Sequence, residues 1–420
     1  MTRRYNLFFS LLIFSTLVFS SCSEKNKRII IWTDCSEFAQ YIEIFNKTQS
    51  KSKAVLVYKD NPSLSLPPAK DELPPDIVIG SWLRTSNTSK QFKSLDYLFD
   101  RKNLTSTVFY PQLLNAGKVK QTQCLIPVSF NLPAVIFSTK NKDYITDNYT
   151  LSIEQIRSIG SSYNQKDKKG LFTRIGFAPL NNNDFLYLAV KLNNTNFKEE
   201  NSKITFNEKK LEDQISYLKD WVVTENSSPS EEQDFCYKYL FMPEYRQITS
   251  DRTLLSYTTS SELFTMMKNQ NTDMDYRWIC KDNFIPIEDS FRMLGIYKNA
   301  KNQVGATEFI TWFFQAESQK AIIEKKALLR LDIEQFGIAN GFSSLRSVNQ
   351  NVLTTYYTQM FSNMPPSQML KVPTELPARW ENYKTSVVEA YIKNKLTADK
   401  EENIIPYSEF EKDWRRKLFD

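Results

Sequence analysis

The 420-residue chain contains no histidine. That absence removes Ser-His-Asp and Cys-His catalysis, histidine general bases and the commonest metal ligand together. Glycine is scarce, with nine residues, and neither G-x-G-x-x-G nor G-x-x-x-x-G-K-[ST] occurs, so both common phosphate-cradling loops are missing. The five cysteines form no C-x-x-C pair, which argues against a zinc or thioredoxin-like site. Any metal would need carboxylates or thiolates alone, and no cofactor is expected. Charge also lacks pattern. Lys and Arg number 54 against 48 Asp and Glu, a net +6, interspersed without a basic block. A nucleic-acid partner is therefore not expected. Past the first twenty residues no run is long and apolar enough to span a bilayer, and a mean hydropathy of −0.46 describes a water-soluble body.

What is present begins at the N-terminus. Thr2-Arg3-Arg4 is basic, Tyr5 to Phe19 is uncharged and apolar, and Ser20-Ser21 precedes Cys22. Basic, apolar, then small is the order of a secretory signal, here residues 1–21; a short uncleaved anchor is the alternative. Phe19-Ser20-Ser21-Cys22 resembles the bacterial lipobox, although Leu is commonest where Phe19 stands. The resemblance implies that Cys22 is diacylated and becomes the mature N-terminus, with 22–27 as a lipidated tether. The protein is then exported and anchored to the cell membrane, periplasmic or at the cell surface.

The body alternates strand-like and helix-like segments. RIIIW (28–32) reads as a buried strand. Asp34 and Glu37 have the spacing of a capping box before a helix carrying Phe38, Tyr41, Ile42 and Phe45 on one face. AVLVY (54–58) and DIVIG (76–80) continue a βαβ pattern, and CLIPVSFNLPAVIFST (124–139) is strand-like but broken by prolines. RIGFAPL (174–180) reads as a strand, 208–222 as an amphipathic helix, and FITWFFQAESQKAII (309–323) as one helix. The last third is helical, with Trp380 and Trp312 expected in the core. The expected class is α/β with parallel-rich sheets, and the length favours two lobes.

Taken in order, IIIWTD…FAQYIEIFN, PDIVIGSWL, LIPVSFNLPAVIFST, IGFAPL…FLYLA and MLGIYKNAKN with ATEFITWFFQAESQKAI resemble the family-1 extracellular solute-binding proteins of ABC importers, sugar-binding branch. These segments span roughly residues 28–345. The resemblance implies a two-lobed periplasmic-binding-protein-like fold with a hinge, a central ligand cleft and a helical C-terminal part. It places lobe one at 28–138 plus 290–345, and lobe two at 139–289 plus 346–420. It implies a monomer that captures a small polar solute, above all a carbohydrate, and delivers it to an ABC permease without catalysis. Two alternatives stay open: a surface adhesin or sensor of the same fold, and an exported carboxylate-pair glycosidase, for which no persuasive pair is found.

Ligands of open α/β sheets bind beyond the carboxyl ends of strands, and sugars need an aromatic face beside hydroxyl-binding groups. The candidate contacts are therefore Asp34, Ser81, Trp82, Ser129, Asn131, Asn182, Asp184, Tyr257, Ser261 and Phe342. Asp34 and Asn182 read equally as helix caps. The four remaining cysteines are either two disulfides, Cys35–Cys124 and Cys236–Cys280, each inside one lobe, or four buried free thiols.

Overall fold

A continuous run of β-branched residues is stable only where both faces of a strand are covered, and Ile29, Ile31 and Trp32 have no exposed surface at all. Each fully buried isoleucine contributes roughly 1.5–3 kcal/mol. The computed structural model describes residues 28–419 except 201–202, 271–272, 365 and 378. The expected signal peptide, Cys22 and the tether lie outside the described residues.

Two sheets carry the fold. Their strands in chain order are β1 (Arg28–Thr33), β2 (Lys53–Tyr58), β3 (Ile77–Gly80), β4 (Ile126–Phe130), β5 (Pro133–Ser138), β6 (Thr150–Ser152), β7 (Ser256–Thr259), β8 (Met274–Cys280), β9 (Arg292–Ile296) and β10 (Phe342–Ser343). The chain divides into two compact units. Unit one takes the described residues up to Ser129, with Ser290–Leu329 and Ser343–Val352; unit two takes Phe130–Asp289, Arg330–Phe342 and the described residues from Leu353 onward.

Unit one is built on the six-stranded sheet, in the order β10-β4-β9-β3-β1-β2. β1 pairs in parallel with β2 and β3, whereas β9 runs antiparallel to β3 and β4. Helix Phe38–Thr48 buries Phe38, Tyr41, Ile42 and Phe45, the face its periodicity picks out. Phe38 and Phe45 meet Phe313 and Phe309 at ring-centroid distances of 5.5 and 5.1 Å. The segment expected as a single helix over 309–323 is two, Gln303–Phe313 and Ala316–Leu328, separated at Phe314-Gln315. The break lets buried Phe314 turn onto Phe109, 5.3 Å away.

Unit two is built on the four-stranded sheet β7-β5-β8-β6. β5 is antiparallel to both β7 and β8, and only β8 with β6 is parallel. The expectation of parallel-rich sheets is therefore corrected to mixed sheets. Only Asn131 and Leu132 separate β4 from β5, which belong to different sheets. Residues 130–138 fall in unit two, although the sequence placed them in the first lobe, because β5 is the central pairing partner there. RIGFAPL is not a regular strand either. Ile175 makes one isolated bridge to Thr253, and Pro179–Asn181 forms a 3-10 turn. Ile175, Phe177 and Leu180 are buried all the same, Ile175 fully.

An aromatic core fills unit two, with Phe264 touching Tyr276, Phe336 and Phe342 at 5.6, 4.7 and 5.8 Å. The C-terminal helices run through Trp380–Tyr383, Ala390–Thr397 and Tyr407–Phe419, and Trp380 is fully buried. Trp312 is half-buried against Phe45 at 5.3 Å.

Among the described residues Cys35, Cys124, Cys236 and Cys280 are free, so of the two alternatives the free thiols hold and the pairings Cys35–Cys124 and Cys236–Cys280 are not formed. They behave as small hydrophobes: burial pushes the Cys35 and Cys236 thiols up to about 12.

Candidate functional site

The carboxyl ends of β1 and β3 are neighbours in unit one's sheet, which brings the turns after them side by side. Asp34 follows β1, and Ser81-Trp82 follows β3. Because β9 is antiparallel, its first residue, Arg292, enters at the same end, opposite Ser129 of β4. Four sequence candidates, Asp34, Ser81, Trp82 and Ser129, thus gather there with a cation that sequence reasoning missed. The only signal for Arg292 is a lone positive charge opening an apolar strand.

Asp34 Oδ1 lies 3.5 Å from Arg292 Nε, an ion-pair separation beyond good hydrogen-bond length. Burial raises the Asp34 carboxyl above its usual range and outweighs Arg292, which pulls it down. The expected capping box does not form. Glu37 occupies the N-cap of helix Phe38–Thr48 without a side-chain cap bond. Its carboxylate instead takes Lys326 Nζ and the Tyr41 hydroxyl, each at 2.7 Å, with Lys326 and Glu37 2% and 4% exposed at their side chains. A carboxylate offsets the hydration that a buried ammonium loses, and here that need overrides a cap.

Ser81 is buried and donates to the Ser290 carbonyl at 2.6 Å. Trp82 is half-exposed and has φ of 64°. The left-handed region costs a bulky side chain of order 1–3 kcal/mol, and such strain concentrates where a side chain must point somewhere in particular. Gly80 makes room for the turn: a Cβ there would stand 3.1 Å from Pro62 Cγ and 3.5 Å from Asp34 Oδ1.

Unit two holds the other candidates. Asn131 is engaged within the fold, donating to the Asn340 carbonyl at 2.9 Å and accepting from Ser260 at 2.6 Å. Asn182 caps helix Asn183–Leu192 by accepting from Phe185 N–H at 3.1 Å. Asp184 is exposed and pairs with Lys384 at 3.1 Å. Ser261 shares a 2.9 Å hydrogen bond with Thr259. Phe342 is only 1% exposed and stacks on Phe130 at 5.5 Å. It is corrected from a ligand contact to a core residue, since the aromatic cluster around Phe264 encloses it.

Tyr257 is 7% exposed, and its ring meets Phe185 at 5.9 Å. It lines a small pocket of about 20 Å³ together with Asn181, Asn182 and Glu244. Burial first, then the charge of Glu262, holds the Glu244 carboxyl up at about 7. Burial likewise holds Glu288 at about 7, against the pull of Lys191. Neither glutamate is marked by spacing in the sequence.

The fold has close counterparts among solved structures. The sugar-binding protein MalE from Xanthomonas citri matches with a TM-score of 0.68 at 10% identity, over 93% of this chain and 96% of its own. An ABC substrate-binding protein from Listeria monocytogenes in complex with cycloalternan matches with a TM-score of 0.61 at 13% identity, over 93% and 98%. A cyclic α-maltosyl-1,6-maltose binding protein from Arthrobacter globiformis gives 0.60 at 11%, over 93% and 99%. No curated protein sequence matches significantly. These likenesses define the class of fold. The family model of the bacterial extracellular solute-binding proteins matches residues 36–320, and the chain belongs to that family.

Proposed function

We propose that this protein is a carbohydrate receptor that captures its sugar and passes it to an ABC importer, with no catalytic turnover. The observation that carries the reading is Trp82, a half-exposed aromatic held at φ 64° beside the Asp34–Arg292 pair at the carboxyl end of β1 and β3. A strained indole offers a rigid apolar face for sugar-ring C–H groups, and the charged pair offers an acceptor and donors for hydroxyls. The sugar ligands named for the structural counterparts support the same solute class. Isothermal titration and thermal shift of the soluble body against mono- and oligosaccharides test it. One sugar class should raise the melting temperature, by the equivalent of about 2.7 kcal/mol at a hundredfold excess over Kd. Trp82→Ala should abolish the shift, and the recovered sugar should be chemically unchanged. A flat response across all sugars, or hydrolysis of the bound one, sinks the proposal.

We also infer that Cys22 carries the lipid that ties this receptor to the membrane, on the order of basic, apolar and small residues before it. Cys22→Ala should move the protein to the soluble fraction; an unacylated wild type that stays with the membrane would exclude the anchor.

A further inference from the structure

In unit two, helix Pro229–Lys238 ends in a turn that leads through Pro243 into helix Glu244–Thr249. The turn presents apolar side chains to water: Phe241 is 96% exposed, Tyr237 78% and Leu240 61%. Large apolar groups clustered in this way on a folded surface mark a contact face. The turn is built rather than loose. Gln247 Nε2 donates to the Met242 carbonyl at 2.8 Å, and the Met242 N–H donates to the Tyr239 carbonyl at 2.8 Å. Beneath it the rings of Phe235 and Tyr239 meet at 5.0 Å, and Phe235 is buried with Phe172 and Ile175. Phe235 and Tyr239 thus anchor the turn, while Tyr237, Leu240 and Phe241 lie outside that cluster.

Charge indicates what covers this face. Lys238 and Arg252 both lie over the Tyr239 ring, at 5.3 and 5.8 Å, and Arg246 Nε donates to the Tyr245 hydroxyl at 3.3 Å. Among the described residues none of these cations has a carboxylate partner. The acids of the same stretch are engaged or withdrawn. Glu231 pairs with Lys166, Asp251 pairs with Lys140 at 2.8 Å, Glu232 is fully buried, and burial holds Glu244 up at about 7. Asp234 stays exposed, one helical turn before Lys238. An apolar tip ringed by unpaired cations is complementary to a surface that is hydrocarbon beneath and anionic above, as a bilayer of acidic lipids is. A second copy docking by the same face would bring these cations against one another.

We propose that this turn is a membrane-contacting foot: Tyr237, Leu240 and Phe241 enter the headgroup region of an anionic bilayer, and Lys238, Arg246 and Arg252 meet its phosphates. The inference is independent of the carbohydrate reading and of an acyl chain on Cys22. The foot gives the folded body its own hold on the surface across which an importer would receive the solute.

The test is co-sedimentation of residues 22–420 carrying Cys22→Ala, so that no acyl chain contributes, with two kinds of vesicle. One is phosphatidylcholine alone; the other is phosphatidylcholine and phosphatidylglycerol in equal parts. Binding to the anionic vesicles should be tighter by about tenfold or more and should weaken as salt is raised. Phe241→Asp, at a side chain almost wholly in water, should weaken it by about tenfold or more without moving the melting temperature. Lys238→Gln with Arg246→Gln should erase the preference for anionic vesicles. Phe361→Asp, at another exposed phenylalanine of unit two, should change nothing. No binding to either vesicle, equal binding to both, or binding that survives Phe241→Asp overturns the inference and leaves the carbohydrate reading standing. An equal loss in Phe361→Asp overturns the assignment to this turn. A dimer in sedimentation equilibrium that Phe241→Asp dissolves gives the face to a second copy instead. Sugar binding lost in Phe241→Asp, with no vesicle response from the parent chain, gives it to the solute and overturns the foot.

Discussion

The two units differ in part in how they treat buried carboxylates. In unit one Glu37 meets Lys326 at 2.7 Å and Asp34 meets Arg292 at 3.5 Å, while Asp76 accepts from the Ile30 and Asn302 N–H groups at 2.9 and 2.7 Å. Unit two has such pairs too, Asp289 with Lys191 at 2.5 Å and Asp332 with Lys268 at 2.7 Å, but it also keeps glutamates without one. In unit two Glu232, Glu244, Glu288 and Glu389 are all held at about 7, burial being the first cause each time. A carboxylate with a buried counterion is a structural pair whose loss is felt as stability. One left half-neutral near pH 7 is costly to keep and responds to pH and to arriving cations. Unit one therefore gathers a strained aromatic and a charge-balanced pair at one sheet end, and unit two keeps several carboxyls that burial holds above their usual range.

That contrast breaks most visibly at Lys326. Lys326→Met strands the Glu37 carboxylate in the core and should destabilise the protein by about 3–5 kcal/mol. Denaturant unfolding checks this, and adding Glu37→Gln should recover much of the loss. If the single substitution is neutral, the pair is not what holds this corner together.

A smaller effect is expected from pH. Glu232 has no exposed surface, and its oxygens accept from Leu180 N–H at 2.6 Å and from Asn226 at 2.8 Å. Its folded value of about 7 lies above the ordinary 4.5. The native state therefore holds this proton more tightly than the unfolded chain. Its contribution to stability is full below about 4.5 and is lost as pH rises through about 7, amounting to the order of 3 kcal/mol. Melting temperatures should accordingly fall between pH 5 and 8. Glu232→Gln, uncharged throughout, should make that slope shallower, Glu244, Glu288 and Glu389 supplying the rest, although it forfeits one acceptor. An unchanged slope would mean that Glu232 is ionised in the fold, satisfied by its two donors.

The smallest effect sharpens the reading of unit one. Trp82→Ala and Trp82→Gly both remove the indole, but only glycine occupies φ of 64° without penalty. Trp82→Gly should be the more stable of the two by about 1 kcal/mol, and both should lose sugar binding. Equal melting temperatures would show that the backbone relaxes once the ring is gone, so that the ring imposes the strain.

Patterns set by neighbours in the chain were legible before any coordinates. RIIIW, AVLVY and DIVIG are β1, β2 and β3, and Phe38, Tyr41, Ile42 and Phe45 do face inward as their spacing indicates. The turn positions Asp34, Ser81 and Trp82 do gather at one sheet end, since parallel strands order their own carboxyl ends. Patterns set by distant partners were misread. Asp34 and Glu37 have capping spacing, yet their partners are Arg292 and Lys326, more than 250 residues away. Phe342 looks like a turn aromatic until Phe264 and Trp278 close over it at 5.8 and 5.9 Å.

The amino-acid order by itself determined the family, the two-layer rhythm of strands and helices, and the exclusion of histidine chemistry. Each of these depends on residue identity or on periodicity over a few turns. Only the tertiary structure decided that Glu37 meets Lys326, that Asp34 meets Arg292, that the cysteines stay apart and that Trp82 is strained. Those outcomes depend on which groups lose water together, and burial is a property of the packed chain rather than of any segment.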